Sequence, residues 1–200
     1  MTTLFALYRA ERGVVLITAL LMLIAVLLVG ASAARMALQG ERAARAERDR
    51  QIAFQAAEDG LRDAERDIGG VAPAPGRAAM FAAGSALGFA DGCGVGDDGA
   101  NLGLCRHAAP AAVPVWQALD LAHDGAHSVE YGQYSGAAME TGQGFLPFKR
   151  PRYIIERMAC HQAGEEASAA PTYCYRVTAI GFGARPATQV VLQSVYRKAE

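Results

Sequence analysis

Arg12-Gly13-Val14-Val15-Leu16-Ile17-Thr18-Ala19-Leu20-Leu21-Met22-Leu23-Ile24-Ala25-Val26-Leu27-Leu28-Val29-Gly30-Ala31-Ser32-Ala33-Ala34-Arg35 decides how the rest of the chain is read. Twenty-one uncharged, mostly apolar residues, Val14 to Ala34, lie between charged neighbours. At a rise of about 1.5 Å per residue they cover roughly 31 Å as a helix, the hydrocarbon thickness of a bilayer. The segment is therefore expected to span a membrane. The helical pattern continues to Ile68 with no proline before Pro73, so membrane span and solvent-facing helix read as one rod of 55 residues, roughly 80 Å long. Gly30, Gly40 and Gly60 weaken it by about 1 kcal/mol each relative to alanine, which leaves room for bending near Gly40. Gly69-Gly70 and Pro73-Ala74-Pro75-Gly76 stop the helix and form a linker.

Arg9 and Arg12 precede the span, whereas the other side opens with Arg35 and then mixes both signs through Glu41, Arg42, Arg45, Glu47, Arg48 and Asp49. This bias favours a cytoplasmic N-terminus. Ala31-Ser32-Ala33 resembles a signal-peptide cleavage site, but signal-peptide apolar regions run about 7 to 15 residues and this one is longer. A secreted binding module cut near Ala33, and a single-span envelope protein that keeps its first residues, remain alternative readings.

The chain of 200 residues is 52% hydrophobic with a formal charge of −1. Beyond Ile68 there is enough chain for one small domain that buries about two-thirds of its surface on folding. No basic run occurs there to neutralise phosphates, which argues against nucleic-acid binding. Cys93, Cys105, Cys160 and Cys174 all follow the span. With the N-terminus in the cytoplasm they lie in an oxidising compartment and are expected as disulfides. Of the three pairings four cysteines allow, Cys93 with Cys105 and Cys160 with Cys174 are favoured, because each closes a short loop worth about 3 kcal/mol in the chain-entropy model.

Phe54, Ala57, Leu61, Ala64 and Ile68 recur at steps of three and four and predict the buried stripe of the second half of the rod. Arg50, Asp59, Arg62, Asp63, Arg66 and Asp67 fall off that stripe and are expected in solvent. Gly69 to about Val115 reads as loop, with one short helix over Arg77 to Ala86. Arg152 to Met158, Tyr173 to Phe182 and Thr188 to Tyr196 read as strands, with a shorter one in Val129 to Tyr134. The expected fold class is α+β: a long N-terminal helix on a small antiparallel sheet of three or four strands, with Trp116 anchoring the long loop against the sheet.

Catalytic candidates are thin. His123 and His127 have the i, i+4 spacing of helical zinc sites, but Gly125 and polar surroundings argue against a helix there. Cys105, His107, Cys160 and His161 could make a mixed metal site, but an oxidising compartment favours disulfides. The loop from Asp91 to Asn101 carries oxygen ligands without the EF-hand spacing or its terminal glutamate, so calcium stays a weak alternative there. With no phosphate-cradling loop and no nucleophile elbow, the chain reads as non-enzymatic, without cofactor or metal.

An arginine and glycine ahead of an apolar helix that turns amphipathic and ends in a disulfide-bearing sheet resemble the type IV prepilins. Arg50-Gln51-Ile52-Ala53-Phe54-Gln55-Ala56-Ala57-Glu58 and Leu61-Arg62-Asp63-Ala64-Glu65 are similar to the PilX minor pilins. So are Gly103-Leu104-Cys105, Pro114-Val115-Trp116, Pro151-Arg152-Tyr153-Ile154-Ile155-Glu156 and the tail from Thr188 to Arg197. The resemblance implies a leader of residues 1–13, a transmembrane helix over 14–34, an amphipathic continuation over 35–68 and a periplasmic domain over 69–200. A prepilin peptidase would cut between Gly13 and Val14 and methylate the amine of Val14. The mature subunit would wait in the inner membrane, help prime assembly on the inner-membrane pilus platform, and lie at or near the pilus tip. Its implied partners are other minor pilins, the major pilin and a large tip adhesin. A type II secretion pseudopilin shares this logic, but the PilX-like segments favour the pilus. One position departs from many pilins: the fifth mature residue, commonly glutamate, is Thr18, which can bond back to its own helix but cannot neutralise a neighbour's amine.

Overall fold

The computed structural model describes residues 12–70, 76–82, 85–94, 99–123, 127–160, 164 and 172–198. The proline-free stretch forms one helix, α1 (Arg12–Gly69), which runs through Gly30, Gly40 and Gly60 without a break. It ends as Gly70 adopts φ 74° and its N–H donates to the Asp67 carbonyl at 3.2 Å, a left-handed cap suited to glycine. Two compact units, Met1–Ala46 and Glu47–Glu200, share this helix. In the first unit every described side chain from Val14 onward is exposed, and the apolar part is long enough to cross a membrane. A helix that is apolar on all sides is the kind found inside a large core or a membrane.

In the second unit α1 is followed by α2 (Arg77–Met80), β1 (Leu104–Arg106), α3 (Val115–Ala118), β2 (Val129–Glu130), β3 (Arg152–Cys160), β4 (Thr172–Phe182) and β5 (Gln189–Tyr196). The β3, β4 and β5 strands are antiparallel, with Ile154 opposite Thr178 and Ile180 opposite Val191. Along the other side of β3, β2 pairs antiparallel at Tyr153 and Arg152, and β1 pairs in parallel from Leu104 against Ile155.

The sheet is thus mixed and five-stranded rather than antiparallel with three or four strands. The parallel strand was unexpected because β1 is only three residues long, too short for alternation to register, and lies in a stretch that reads as loop. Parallel neighbours need a long crossover, which the chain between Arg106 and Arg152 supplies. The short helix expected over Arg77 to Ala86 stops at Met80. The strand expected over Val129 to Tyr134 ends at Glu130, before Gly132 turns with φ 82°.

One face of the sheet carries Tyr153, Ile155, Val177 and Ala179 against Ala64 and Ile68 of α1, with Phe81, Phe89 and Tyr175 closing the far end. The opposite face carries Cys105, Ile154, Ile180 and Phe182, with Cys93 and Leu121 packed in the same cluster. Trp116 packs against this second cluster from α3, as expected of a loop anchor.

Candidate functional site

Functional interest centres on α1, in how its second half is seated and what its first half leaves uncovered. The expected stripe is partly corrected. Ala57, Ala64 and Ile68 are buried, but Phe54 is 44% exposed, and the buried line instead runs Asp49, Ala53, Ala56, Gly60, Asp63 and Asp67. Its steps of four and three follow the helical repeat. Small residues dominate because the sheet comes very close. A Cβ on Gly181 would fall inside the contact distance of the Ala53 carbonyl and the Ala57 amide, and one on Gly60 would lie 3.3 Å from both Ala179 and Pro151. Helix backbone rests almost directly on strand backbone there, so alanine and glycine are required.

The three aspartates on this line, two of them expected in solvent, each hold a different segment of the chain. Asp49, 5% exposed, accepts hydrogen bonds from the Ala184 N–H at 2.7 Å, the Arg185 N–H at 3.2 Å, Arg185 Nε at 2.8 Å and the Thr188 hydroxyl. Burial pushes its carboxyl up, but the bonds from Thr188 and Arg185 and from the Arg185 and Ala184 amides outweigh that and hold it below the ordinary carboxylate range. Gly183 permits the approach, since a Cβ there would sit 2.6 Å from an Asp49 carboxylate oxygen. Asp63 accepts from the Gly132 N–H at 2.8 Å and from the Ser135 hydroxyl, which fixes the turn after β2.

Asp67 meets the fully buried Arg77, whose Nη2 lies 2.6 Å away and whose Nε lies 3.0 Å away. Arg77 also donates to the carbonyls of Ala100 and Leu102 at 2.6 and 2.7 Å and lies over the Tyr134 ring at 4.0 Å, so its guanidinium is well satisfied. Burial pushes the Asp67 carboxyl above its ordinary value against the pull of Arg77, and Asp63 adds to the rise. The Tyr153 hydroxyl, which donates to Asp67 at 3.3 Å, is raised well above its usual value by burial and by the charges of Asp67 and Asp63.

The remaining predicted residues are scattered. Val14 is exposed on the first turns of α1, where Gly13 precedes it. The Thr18 hydroxyl donates to the Val15 carbonyl at 3.0 Å, a bond within its own helix. Cys93 is bonded to Cys105 and Cys160 to Cys174. His123 turns to Asp120 while the His127 ring meets the Gly92 carbonyl at 2.7 Å, so the two histidines do not converge. His107 lies 3.4 Å from Glu156, and His161 and residues 95–98 of the acidic loop are outside the described residues. Among the described residues no cluster of three metal-ligating side chains forms.

Sequence reasoning missed Asp49, Asp63, Asp67 and Arg77. A signal was present: a line of alanine and glycine at helical spacing with an aspartate at each end, and a lone arginine in a long uncharged stretch.

Residues 12–62 match a family model described as PilX N-terminal, and residues 101–198 match one described as Type IV pilus assembly protein PilX C-term. The chain belongs to the PilX family. No curated protein and no solved structure matches it significantly. PilX membership implies a minor pilin role in type IV pilus assembly, structural rather than enzymatic, among other pilus components. A single N-terminal apolar helix suits a single-pass membrane pilin. The Asp49 clasp joins the two matched segments of this PilX protein, since Asp49 lies in the first and Gly183 to Thr188 in the second.

Proposed function

We propose that this PilX-family chain is a minor pilin that helps prime type IV pilus assembly and enters the filament at or near its tip, through packing of α1 against the helices of other minor pilins. The observation that carries this reading is the contrast along one helix. From Glu47 onward α1 gains a buried face, whereas from Val14 to Ala46 it exposes Val14, Leu16, Leu20, Ile24, Leu28 and the residues between them. A surface of that kind is stable in lipid, or against other apolar helices that replace lipid.

In this account residues 1–13 are a cytoplasmic leader, 14–34 span the inner membrane, 35–68 continue the helix and 69–200 form the periplasmic domain. A prepilin peptidase cuts between Gly13 and Val14 and methylates Val14. The subunit then meets the inner-membrane assembly platform, other minor pilins, the major pilin and a large tip adhesin. Thr18 supports a position at or near the tip: with its hydroxyl turned to Val15 it offers no carboxylate to a neighbour's terminal amine. Replacing Thr18 with glutamate is expected to shift the subunit's place or disturb initiation, and normal piliation with normal placement would refute that role.

The reading is tested by photo-crosslinking from Ile24 in cells. An adduct with another pilin is the expected result. A reporter at Ile24 that never captures a pilus component overturns the reading.

A further inference from the structure

β5 ends the sheet: among the described residues no strand lies beyond it. The other side of the sheet ends in β1 and β2, three and two residues long, and edge strands that short offer little to an incoming chain. β5 has eight residues, pairs with β4 in unbroken register, and holds neither charge nor proline. It thus lacks the charge, proline or bulge that commonly guards a sheet edge. The Gly183 N–H donates to the Thr188 carbonyl at 2.8 Å, one step beyond the Phe182 and Gln189 pair, so residues 183 and 188 form a hydrogen-bonded pair. Such pairs alternate along an antiparallel ladder. Val190, Leu192, Ser194 and Tyr196 therefore bond to β4, while Gln189, Val191, Gln193 and Val195 turn N–H and C=O to the outer edge. The side chains of these four are exposed and share the face of Thr178 and Ile180, where Gln193 Nε2 donates to the Thr178 hydroxyl at 3.0 Å. On that face lies an open cavity of about 440 Å³, lined by Trp116, Leu119 and Leu121 and by Ile180, Gln189 and Val191.

We propose that the outer edge of β5 takes an extended segment of another protein as a further strand, with a bulky apolar side chain opposite Val191 lodged in the cavity beside Trp116. The chemistry of the edge chooses this occupant. Four residues at every second position offer a row of backbone donors and acceptors. A helix has bonded its own backbone groups internally and a lipid has no amides, so an extended chain is what complements the row. A residue across from Val191 stands about 4.5–5.5 Å away between Cβ atoms, which sets its side chain at the mouth of the cavity. A second copy of β5 fits less well. Paired antiparallel, it brings only glutamine or valine opposite Val191, because outward-facing residues pair with one another, and neither fills a cavity of this size. Paired in parallel, it turns the face that carries its own α1 to the side of Trp116.

The test places a benzophenone side chain at position 195, where Val195 is 62% exposed, in the full-length protein in cells, and maps its adducts by mass. The expected result is an adduct in another protein, within a segment whose alternate residues are apolar. Its yield should fall roughly tenfold with Gln193→Pro, the scale of one backbone hydrogen bond, and hold with Gln193→Ala. Proline at 193 removes an outward N–H that bonds nothing in β4, so the domain should melt as the parent does. An adduct outside such a segment, to lipid or to a second copy of this chain overturns the inference, as do no adduct and equal yields from the proline and alanine variants. Should the proline variant melt below the parent, Val191→Lys takes its place: a lysine at this exposed position guards the edge, the same fall is expected, and an unchanged yield overturns the inference. The Ile24 reporter tests helix packing separately, so the minor pilin reading and this one can fail independently.

Discussion

Replacing Asp49 with alanine removes the acceptor for two backbone amides, one guanidinium and one hydroxyl at a single turn of α1. The Ala184 and Arg185 N–H groups then face a helix that offers nothing in return, and each stranded donor costs about 1–3 kcal/mol. The Arg185 side chain is 62% exposed and rehydrates, so its share is small. The net loss is about 2–4 kcal/mol, a large part of the 5–15 kcal/mol typical of a domain. It should lower the melting temperature by roughly 5–15 °C for a unit of this size.

The sign of the pH dependence follows from the direction of the Asp49 shift. A carboxyl held below its unfolded value contributes stability that is complete above that unfolded value and disappears as pH falls through the folded one. The gap between parent and variant should therefore be full at neutral pH and narrow in acid. Asp67 runs the other way: held above its ordinary value, its contribution is complete below the ordinary carboxylate range and is lost as pH rises through the raised value. Present in both proteins, it largely cancels from the difference. The single tryptophan, Trp116, packed on the second core cluster, reports the unfolding by fluorescence in detergent-solubilised full-length protein. A variant that melts within about 2 °C of the parent at neutral pH, or whose deficit is unchanged in acid, refutes the clasp.

Three further outcomes are expected. Gly181→Val places a branched side chain against helix backbone, which cannot yield as a side-chain tip would; a loss of at least about 3 kcal/mol in urea unfolding is expected, and a loss below about 1 kcal/mol would show that α1 can lift. Removing the Cys160–Cys174 bond with paired serines frees a loop with a sequence separation of 14; about 3 kcal/mol should be lost in the same assay, with α1 amide protection retained. Intact mass of the membrane-extracted chain should correspond to a start at methylated Val14, whereas a start near Ala34 or an intact Met1 would favour the secreted or unprocessed readings.

The architecture was legible where residue type and spacing act locally. An apolar run of bilayer length, a helix without proline and three β-rich strands each carry their own signal, and the helix, β3, β4 and β5 follow them closely. The seat was misread for a physical reason. Hydrophobic periodicity finds a buried face through large apolar side chains, and here the sheet lies too close for them. The pattern therefore draws Phe54 onto the stripe although it is exposed, and sends Asp63 and Asp67 to water although the Gly132 amide, in a turn distant in sequence, and the buried Arg77 of α2 supply their donors. Likewise β1 is decided by pairing with β3, where Leu104 meets Ile155 across a long stretch of chain, and three residues carry no pattern of their own.

Buried carboxylates on that seat answer a problem that small residues create. Sliding α1 by one turn, about 5.4 Å, would bring Ala53 to the place of Ala57, Ala56 to that of Gly60 and Gly60 to that of Ala64. Apolar contact would scarcely distinguish these registers. The aspartates do. The slide carries Asp49 toward Gly181, where no donor waits, and sets Arg45 against the donors of Ala184 and Arg185, and unpaired burial of a charge is far costlier than any gain from small apolar side chains; the opposite slide leaves those donors facing Ala53. Polar groups in a core can thus fix register where shape alone does not. It follows that Asp49→Ala combined with Asp63→Ala should spread amide protection in α1 over more than one register while the β3, β4 and β5 amides stay protected. A double variant with the parent's protection pattern along residues 49 to 68 would place the register in the apolar contacts alone.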